Sequence, residues 1–358
     1  MTDVRNAVKN GIIKPNRNYG QCFLADEKIA EKIVNAAELT PGDHVIEVGP
    51  GVCALTAMLC ERAGSVVAVE IDAGLTQTIG EIMAPYKNFK LISGDILRVA
   101  PEELLPCGGP GAESAAESCG LIPERADDRG EIFAVPGRES APGGSPCGGP
   151  GAESAAAGIC ATPEREHASG GSTWPADDID DLLTRPARRI VFVSNMPYGI
   201  STQLLTRLFV EFTFVSRAVI MMQKEVCDKL FARPSTKHYC LLTVLADSFG
   251  EREKVAAVAP HFFAPQPGVD SAVVAFCARE APIVAAADRD AYFRVVRAAF
   301  AHRRKTLANC LVHAGLARDR AAAEAAAAQA GVPPAARGES LGALEFAALT
   351  RALRDQYI

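Results

Sequence analysis

Asn195, Met196, Pro197 and Tyr198, preceded by Ser194, form a set of residues that can hold a planar amino group. The Asn195 side-chain oxygen and the Pro197 carbonyl are hydrogen-bond acceptors, and Tyr198 offers a flat ring. The acceptors take N–H protons while the ring covers the π-face of the base that carries them. An exocyclic aromatic amine is a poor nucleophile because its lone pair is delocalised into the ring. Two acceptors would favour a pyramidal nitrogen with the lone pair aimed at an electrophile. Such a site works by positioning and needs no strong general base. The same four residues also suit an ordinary strand-to-helix turn, so their meaning depends on what surrounds them.

The apolar, largely β-branched run 190–193 just before them reads as a buried parallel strand, delivering the loop to its carboxyl end. In open α/β sheets ligands bind at that end. Three earlier strand-and-loop units precede it. A strand from residue 44 runs into Gly49-Pro50-Gly51, and a helix follows over 54–63. A second strand over 65–70 ends in Glu70, which lies 21 residues past Gly49. That is about the spacing at which an acid on the second strand meets a ribose hydroxyl pair, although the three-glycine dinucleotide fingerprint is incomplete. A helix over 73–84 and a strand over 89–92 lead to Gly94-Asp95, where a carboxylate can accept an adenine amino group or cap the next helix. Gly49 and Gly51 let backbone approach a ligand closely. Beyond Tyr198 the pattern predicts a helix over 201–211, a strand over 218–222, a helix over 223–231, strands over 239–246, 255–258 and 272–277, and helices from about 281.

The composition bounds the rest. The chain has 358 residues, a net charge of −6 and 48% hydrophobic content, which suits a soluble protein of two domains. The acidic excess is local: residues 101–187 hold 16 Asp and Glu against 5 Arg, a net of −11, so the remainder is +5. Within that segment Pro-Cys-Gly-Gly-Pro-Gly-Ala-Glu-Ser-Ala-Ala occurs at 106–116 and again at 146–156. Such Gly/Pro/Ala/Ser/Glu-rich sequence cannot bury enough apolar surface to offset its ordering entropy, so a disordered insertion is predicted. The 11 cysteines show no Cys-x-x-Cys pair, and no metal site or disulfide framework is predicted. No run of 18 apolar residues and no signal-peptide core is present, which predicts a cytoplasmic protein with no membrane contact. Two basic stretches stand out: the N-terminal arm (Arg5, Lys9, Lys14, Arg17) and Arg303-Arg304-Lys305. Either is a solvated face or a set of phosphate contacts.

Together these pieces resemble the ribosomal RNA adenine N6-dimethyltransferases, in particular the branch acting on the small subunit. The resemblance spans the chain outside 101–187. It rests on Gly20-Gln21-Cys22-Phe23-Leu24, the run 47–51 with Leu55-Thr56, Glu70, Gly94-Asp95, the run 195–202, Gln223-Lys224-Glu225-Val226, the run 263–274 and Arg303-Arg304-Lys305-Thr306. Family members usually carry Asn or His at the position of Cys22 and Leu at that of Met196. The resemblance implies a Rossmann-like α/β class I methyltransferase domain over 1–280 and a small all-α RNA-binding domain over 281–358. It implies S-adenosylmethionine as cofactor, held by Cys22, Leu24, Gly49, Gly51, Glu70, Asp95 and Asn195. Asn195, Pro197 and Tyr198 are then catalytic, with Tyr198, Phe263, Arg303, Arg304 and Lys305 meeting the RNA. The implied reaction is dimethylation of two adjacent adenosines by a monomer acting on the small-subunit particle. Two alternatives share these motifs: an adenine methyltransferase for large-subunit RNA or DNA, and an inactive ribosome-assembly factor.

Overall fold

In the computed structural model, which describes residues 4–10, 13–16, 19–106 and 189–355, the apolar runs become the centre of one sheet. The first residues of the insertion predicted over 101–187 are not disordered, since Pro101–Leu104 form a 3-10 turn with Leu104 buried in the core. The rest beyond residue 106 lies outside the described residues, as does Arg17 of the arm. In chain order the strands are β1 (Phe23–Leu24), β2 (His44–Val48), β3 (Ser65–Glu70), β4 (Phe89–Ser93), β5 (Ile190–Asn195), β6 (Val215–Gln223), β7 (Gly250–Val258), β8 (Phe263–Ala264) and β9 (Ser271–Ala278). Seven of them form a sheet of order β4-β3-β2-β5-β6-β9-β7, and β1 pairs with β8 apart from it. From β4 to β6 all neighbours are parallel, while β9 runs antiparallel to both β6 and β7.

This order places the site. The chain moves outward from β2 to β3 to β4, then returns to lay β5 on the other side of β2. The loops after β2 and β5 therefore diverge from neighbouring strands, and a crevice opens between them at the carboxyl ends.

Residues along the central strands alternate between two cores, as the two-residue period of a strand requires. Val45, Val191, Val219 and Val273 face one core; Ile46, Phe192, Ile220 and Val274 face the other. Both faces are covered, so these strands read as continuous apolar runs. The first core is closed by helices α2 (Glu27–Ala36), α3 (Thr56–Arg62) and α4 (Ala73–Met83), which follow α1 (Val4–Lys9) of the arm. The Asp26 carboxylate accepts from Ile29 N–H at 3.0 Å and starts α2, whose Ile29, Ile33 and Val34 then share one buried face. The second core is closed by α5 (Ser201–Val210), α6 (Lys224–Leu230) and part of α7 (Leu241–Phe249). Truncating a fully buried ring such as Phe192 to Ala in cores of this kind costs about 3–5 kcal/mol.

Helix α7 corrects one expectation. The sequence pattern predicts a strand over 239–246, yet residues 241–249 are helical. Leu242, Thr243, Val244, Leu245 and Ala246 are all buried, so the helix has no polar face there to reveal a 3.6-residue period. A short continuous apolar run cannot be assigned by periodicity alone. The neighbouring stretch predicted over 255–258 is a strand, extended to the whole of β7.

From residue 289 the chain forms α8 (Arg289–Ala301), α9 (Leu307–His313), α10 (Arg320–Gln329) and α11 (Ala343–Asp355). Their core is not separate from the rest. Val244 and Leu245 of α7 and the preceding Tyr239 pack with Tyr292, Val296, Leu311 and Phe346. The Tyr239 hydroxyl donates to the Leu341 carbonyl at 2.6 Å, a link across 102 positions of sequence. The helical part is thus built onto α7.

Candidate active site

The glycine loop after β2 lies against the Asn195 loop after β5 and against Phe23 of β1. Gly49 and Gly51 have φ of +71° and +54°, a region that side-chain-bearing residues avoid. A Cβ on Gly51 would sit 3.0 Å from the Phe23 ring, and one on Gly49 would reach Pro197 at 3.5 Å. Between these loops, the ends of β3 and β4 and the arm lies a cavity of about 280 Å³. Gln21, Cys22 and Phe23 form one wall; Glu70, Ile71, Asp95 and Ile96 form another; Asn195 and Tyr198 close one end.

The acids at its floor are held by backbone. Glu70 Oε1 accepts from Asp72 N–H at 2.9 Å and Oε2 from Gly51 N–H at 3.3 Å. Burial raises the Glu70 carboxyl above its ordinary pKa, and those two amides oppose the rise. Beneath it Glu47 is fully buried and its pKa is pushed up to about 8, by burial first and by the charge of Glu70 in addition. Asp95 Oδ1 accepts from Leu97 N–H at 2.9 Å, so it caps the following turn while lining the cavity. The capping and ligand readings of Asp95 are therefore compatible.

At the other end, Asn195 Nδ2 donates to the Cys22 backbone carbonyl at 3.4 Å. With its amino group so engaged, the amide keeps Oδ1 as an acceptor, and Asn195 lines the cavity. The partner is the backbone of residue 22, so the unusual Cys22 side chain does not enter that contact. The Tyr198 hydroxyl is paired with Ser271 Oγ at 2.8 Å, which fixes the ring from β9. Burial raises the Tyr198 pKa. The Pro197 carbonyl, the second acceptor expected from sequence, is already hydrogen-bonded within the protein. It accepts from Ile200 N–H at 3.3 Å and Ser201 Oγ at 3.2 Å, which turn it into the start of α5. No hydrogen bond to the Met196 carbonyl is present among the described residues.

Of the sites named from sequence, the cavity gathers Cys22, Gly49, Gly51, Glu70, Asp95, Asn195, Pro197 and Tyr198. It does not gather Leu24 or Phe263. These two pair across β1 and β8 and are each 2% exposed, so their side chains belong to the core. The neighbouring Phe262 is the half-buried ring of that loop. Arg303, Arg304 and Lys305 also lie outside the cavity lining, in a turn between α8 and α9 rather than in a helix. All three are exposed, and Arg303 is tied to Glu339 Oε2 at 3.1 Å and to the carbonyls of Lys237 and Tyr239. Sequence reasoning missed Ile71, an apolar side chain 41% exposed in the cavity wall directly after Glu70. It also missed exposed Arg294 and Arg297, which the three-residue spacing sets on one face of α8. Among the described residues no helix is long and apolar enough to cross a membrane, and no three His, Cys, Asp or Glu side chains are grouped to hold a metal.

Residues 12–341 match the family described as ribosomal RNA adenine dimethylase. Proteins named ribosomal RNA small subunit methyltransferase A are similar along nearly their whole length. The one from Pelotomaculum thermopropionicum is 33% identical over 98% of this chain and 96% of its own, and that from Moorella thermoacetica is 33% identical over 95% and 93%. Among solved structures, a dimethyladenosine transferase from Plasmodium falciparum superposes with a TM-score of 0.58 at 19% identity, covering 94% of this chain and 98% of that one. The 23S rRNA methyltransferase ErmE gives 0.53 at 22%, covering 93% and 99%. These two likenesses establish the Rossmann-like α/β fold. The positive-φ glycines, the buried acid and the open wall fit S-adenosylmethionine, the cofactor of this group. The chain belongs to the ribosomal RNA adenine dimethylase family of S-adenosylmethionine-dependent methyltransferases.

Proposed function

We propose that this protein dimethylates the exocyclic amines of two adjacent adenosines in small-subunit ribosomal RNA, as a monomer in the cytoplasm and as a step in building that subunit. The carrying observation is that Asn195, whose Nδ2 donates to the Cys22 carbonyl, lines the same cavity as Glu70, Asp95 and Tyr198. The names of the whole-length relatives support the small-subunit target.

S-adenosylmethionine supplies, when bound, a methyl group on a positively charged sulfur. Glu70 is placed to accept from ribose hydroxyls, Asp95 to accept from the adenine amino group, and Gly49 and Gly51 to admit the methionine end. Asn195 Oδ1 accepts a hydrogen bond from one N–H of the target amine, and the proton that the methylated nitrogen sheds goes to solvent. The second acceptor is the Met196 carbonyl, because that of Pro197 is already used twice. Two acceptors of fixed direction pull the lone pair out of conjugation and aim it at the methyl group. Tyr198, held by Ser271, stacks the base after it leaves its own strand. Residues 1–280 form the catalytic part in this reading, and 281–358 the helical part that meets RNA through Arg294, Arg297, Arg304 and Lys305.

Incubating the protein with S-adenosylmethionine and unmodified small-subunit particles, followed by mass spectrometry of the adenosines, tests this directly. Dimethyladenosine at two neighbouring positions is expected. Methyl groups entering large-subunit RNA instead, or none at all, would overturn the assignment.

A further inference from the structure

Gln21 uses both ends of its side-chain amide. Its Oε1 accepts from the Asn16 backbone N–H at 2.7 Å, and its Nε2 donates to Asp72 Oδ2 at 2.9 Å. The first contact folds the arm on itself. The second reaches a residue 51 positions further along, next to Ile71 of the cavity lining. Asp72 is fully employed as well: its Oδ1 accepts from Gly74 N–H at 3.0 Å to start α4, and its own N–H donates to Glu70 Oε1 at 2.9 Å. A continuous chain of bonds thus runs from Asn16 through Gln21 and Asp72 to Glu70. Tyr19, Gly20, Gln21, Cys22 and Phe23 line one wall of the cavity, and Glu70 and Ile71 line the other. The Gln21–Asp72 bond joins these two segments of the lining.

We infer that Gln21 is a clasp that fastens the N-terminal arm over bound S-adenosylmethionine and sets how fast the cofactor is exchanged. It is a positioning residue, acting through Asp72. Both polar atoms of its side chain are bonded within the protein, Oε1 to the arm and Nε2 to Asp72. The inference rests on the cavity being the cofactor site. Its consequence follows from the stoichiometry of the reaction: two methyl groups on each of two adenines need four cofactors in turn. The arm must therefore release one spent cofactor and admit a fresh one between transfers, and the Gln21–Asp72 bond is the contact that opens.

The test compares Gln21→Met, which keeps most of the side-chain volume and makes neither bond, with Asp72→Asn and with the double variant. Asn remains a good helix N-cap, so α4 keeps its start. Cofactor dissociation is read by stopped-flow displacement, and methyl transfer by single turnover at saturating cofactor on small-subunit particles. Gln21→Met is expected to speed dissociation about tenfold, the scale of removing one bond to a charged acceptor, a larger change than any in its single-turnover rate at saturating cofactor. Asp72→Asn should speed dissociation too, and the double variant should add little to either. A dissociation rate unchanged in Gln21→Met, a fall in single-turnover rate in its place, or additive effects in the double variant would each overturn the clasp. Wild-type protein that failed to bind S-adenosylmethionine would instead overturn the cofactor reading beneath it.

Discussion

The two ends of the cavity are built in different ways. At the acidic end each carboxylate is held by backbone close by in sequence: Glu70 by the amides of Asp72 and Gly51, 2 and 19 positions away, and Asp95 by that of Leu97, 2 positions on. At the amide end the partners are remote. Asn195 is turned by Cys22, 173 positions away, and Tyr198 is fixed by Ser271, 73 positions on. The acidic end is set as soon as its strand and loop form. The amide end exists only once the arm, β5 and β9 have all come together. Binding geometry is local here, and reacting geometry is a property of the whole fold.

That contrast predicts that the two ends fail separately. The largest effect is expected for Asn195→Ala, which should lower single-turnover methyl transfer by two orders of magnitude or more. Oriented reactants can draw roughly 7–11 kcal/mol from positioning, and this residue does the orienting. Cofactor affinity by calorimetry should stay within about threefold. A transfer rate within threefold of wild type would remove Asn195 from that role.

Glu70→Ala should do the converse. A hydrogen bond to a charged group is worth roughly 1.5–3 kcal/mol, so cofactor affinity should fall by one to two orders of magnitude. Transfer at saturating cofactor should fall much less. Unchanged affinity would take Glu70 out of the site.

The contrast also explains what could be read from the sequence. The parallel strands β3 and β5 were legible because a strand buried on both faces is a continuous apolar run, and Glu70 ends one such run, whereas Asp95 follows the half-exposed edge strand β4 after Gly94. Helix α7 was not legible, since its burial on every side erased the polar stripe that marks a helix. Phe263 and Phe262 are adjacent, and only the pairing of Phe263 with Leu24 decides which ring goes inward. The Pro197 carbonyl is free in a local reading, and only the first turn of α5 claims it. Arg303 resembles its neighbours because Glu339, its partner, stands 36 positions away. Local patterns revealed the acidic end; the amide end and the basic turn depend on contacts that no local pattern records.

Smaller effects sharpen the same division. Ser271→Ala leaves the Tyr198 ring without its anchor, and a bond of this kind contributes about 0.5–1.5 kcal/mol. Transfer should slow by roughly two- to tenfold, with cofactor affinity unchanged; a parallel drop in cofactor binding would place Ser271 at the acidic end instead. The smallest effect separates residues within the basic turn. Replacing Arg304 and Lys305 with Ala should reduce the salt slope of particle binding by about 0.7–0.9 for each phosphate no longer neutralised. Arg303→Ala should mainly lower the melting temperature, because it breaks the tie to Glu339. Equal salt slopes in wild type and the Arg304/Lys305 variant would make those residues a solvated face.

The division of the cavity is tested most directly by a crystal structure of the protein with S-adenosylmethionine bound. The ribose hydroxyls should lie within hydrogen-bond distance of Glu70, the adenine amino group beside Asp95, and the sulfonium methyl on the side of Asn195 and Tyr198. A cofactor bound in the reverse direction, or with its methyl group turned away from Asn195 Oδ1, would contradict the account.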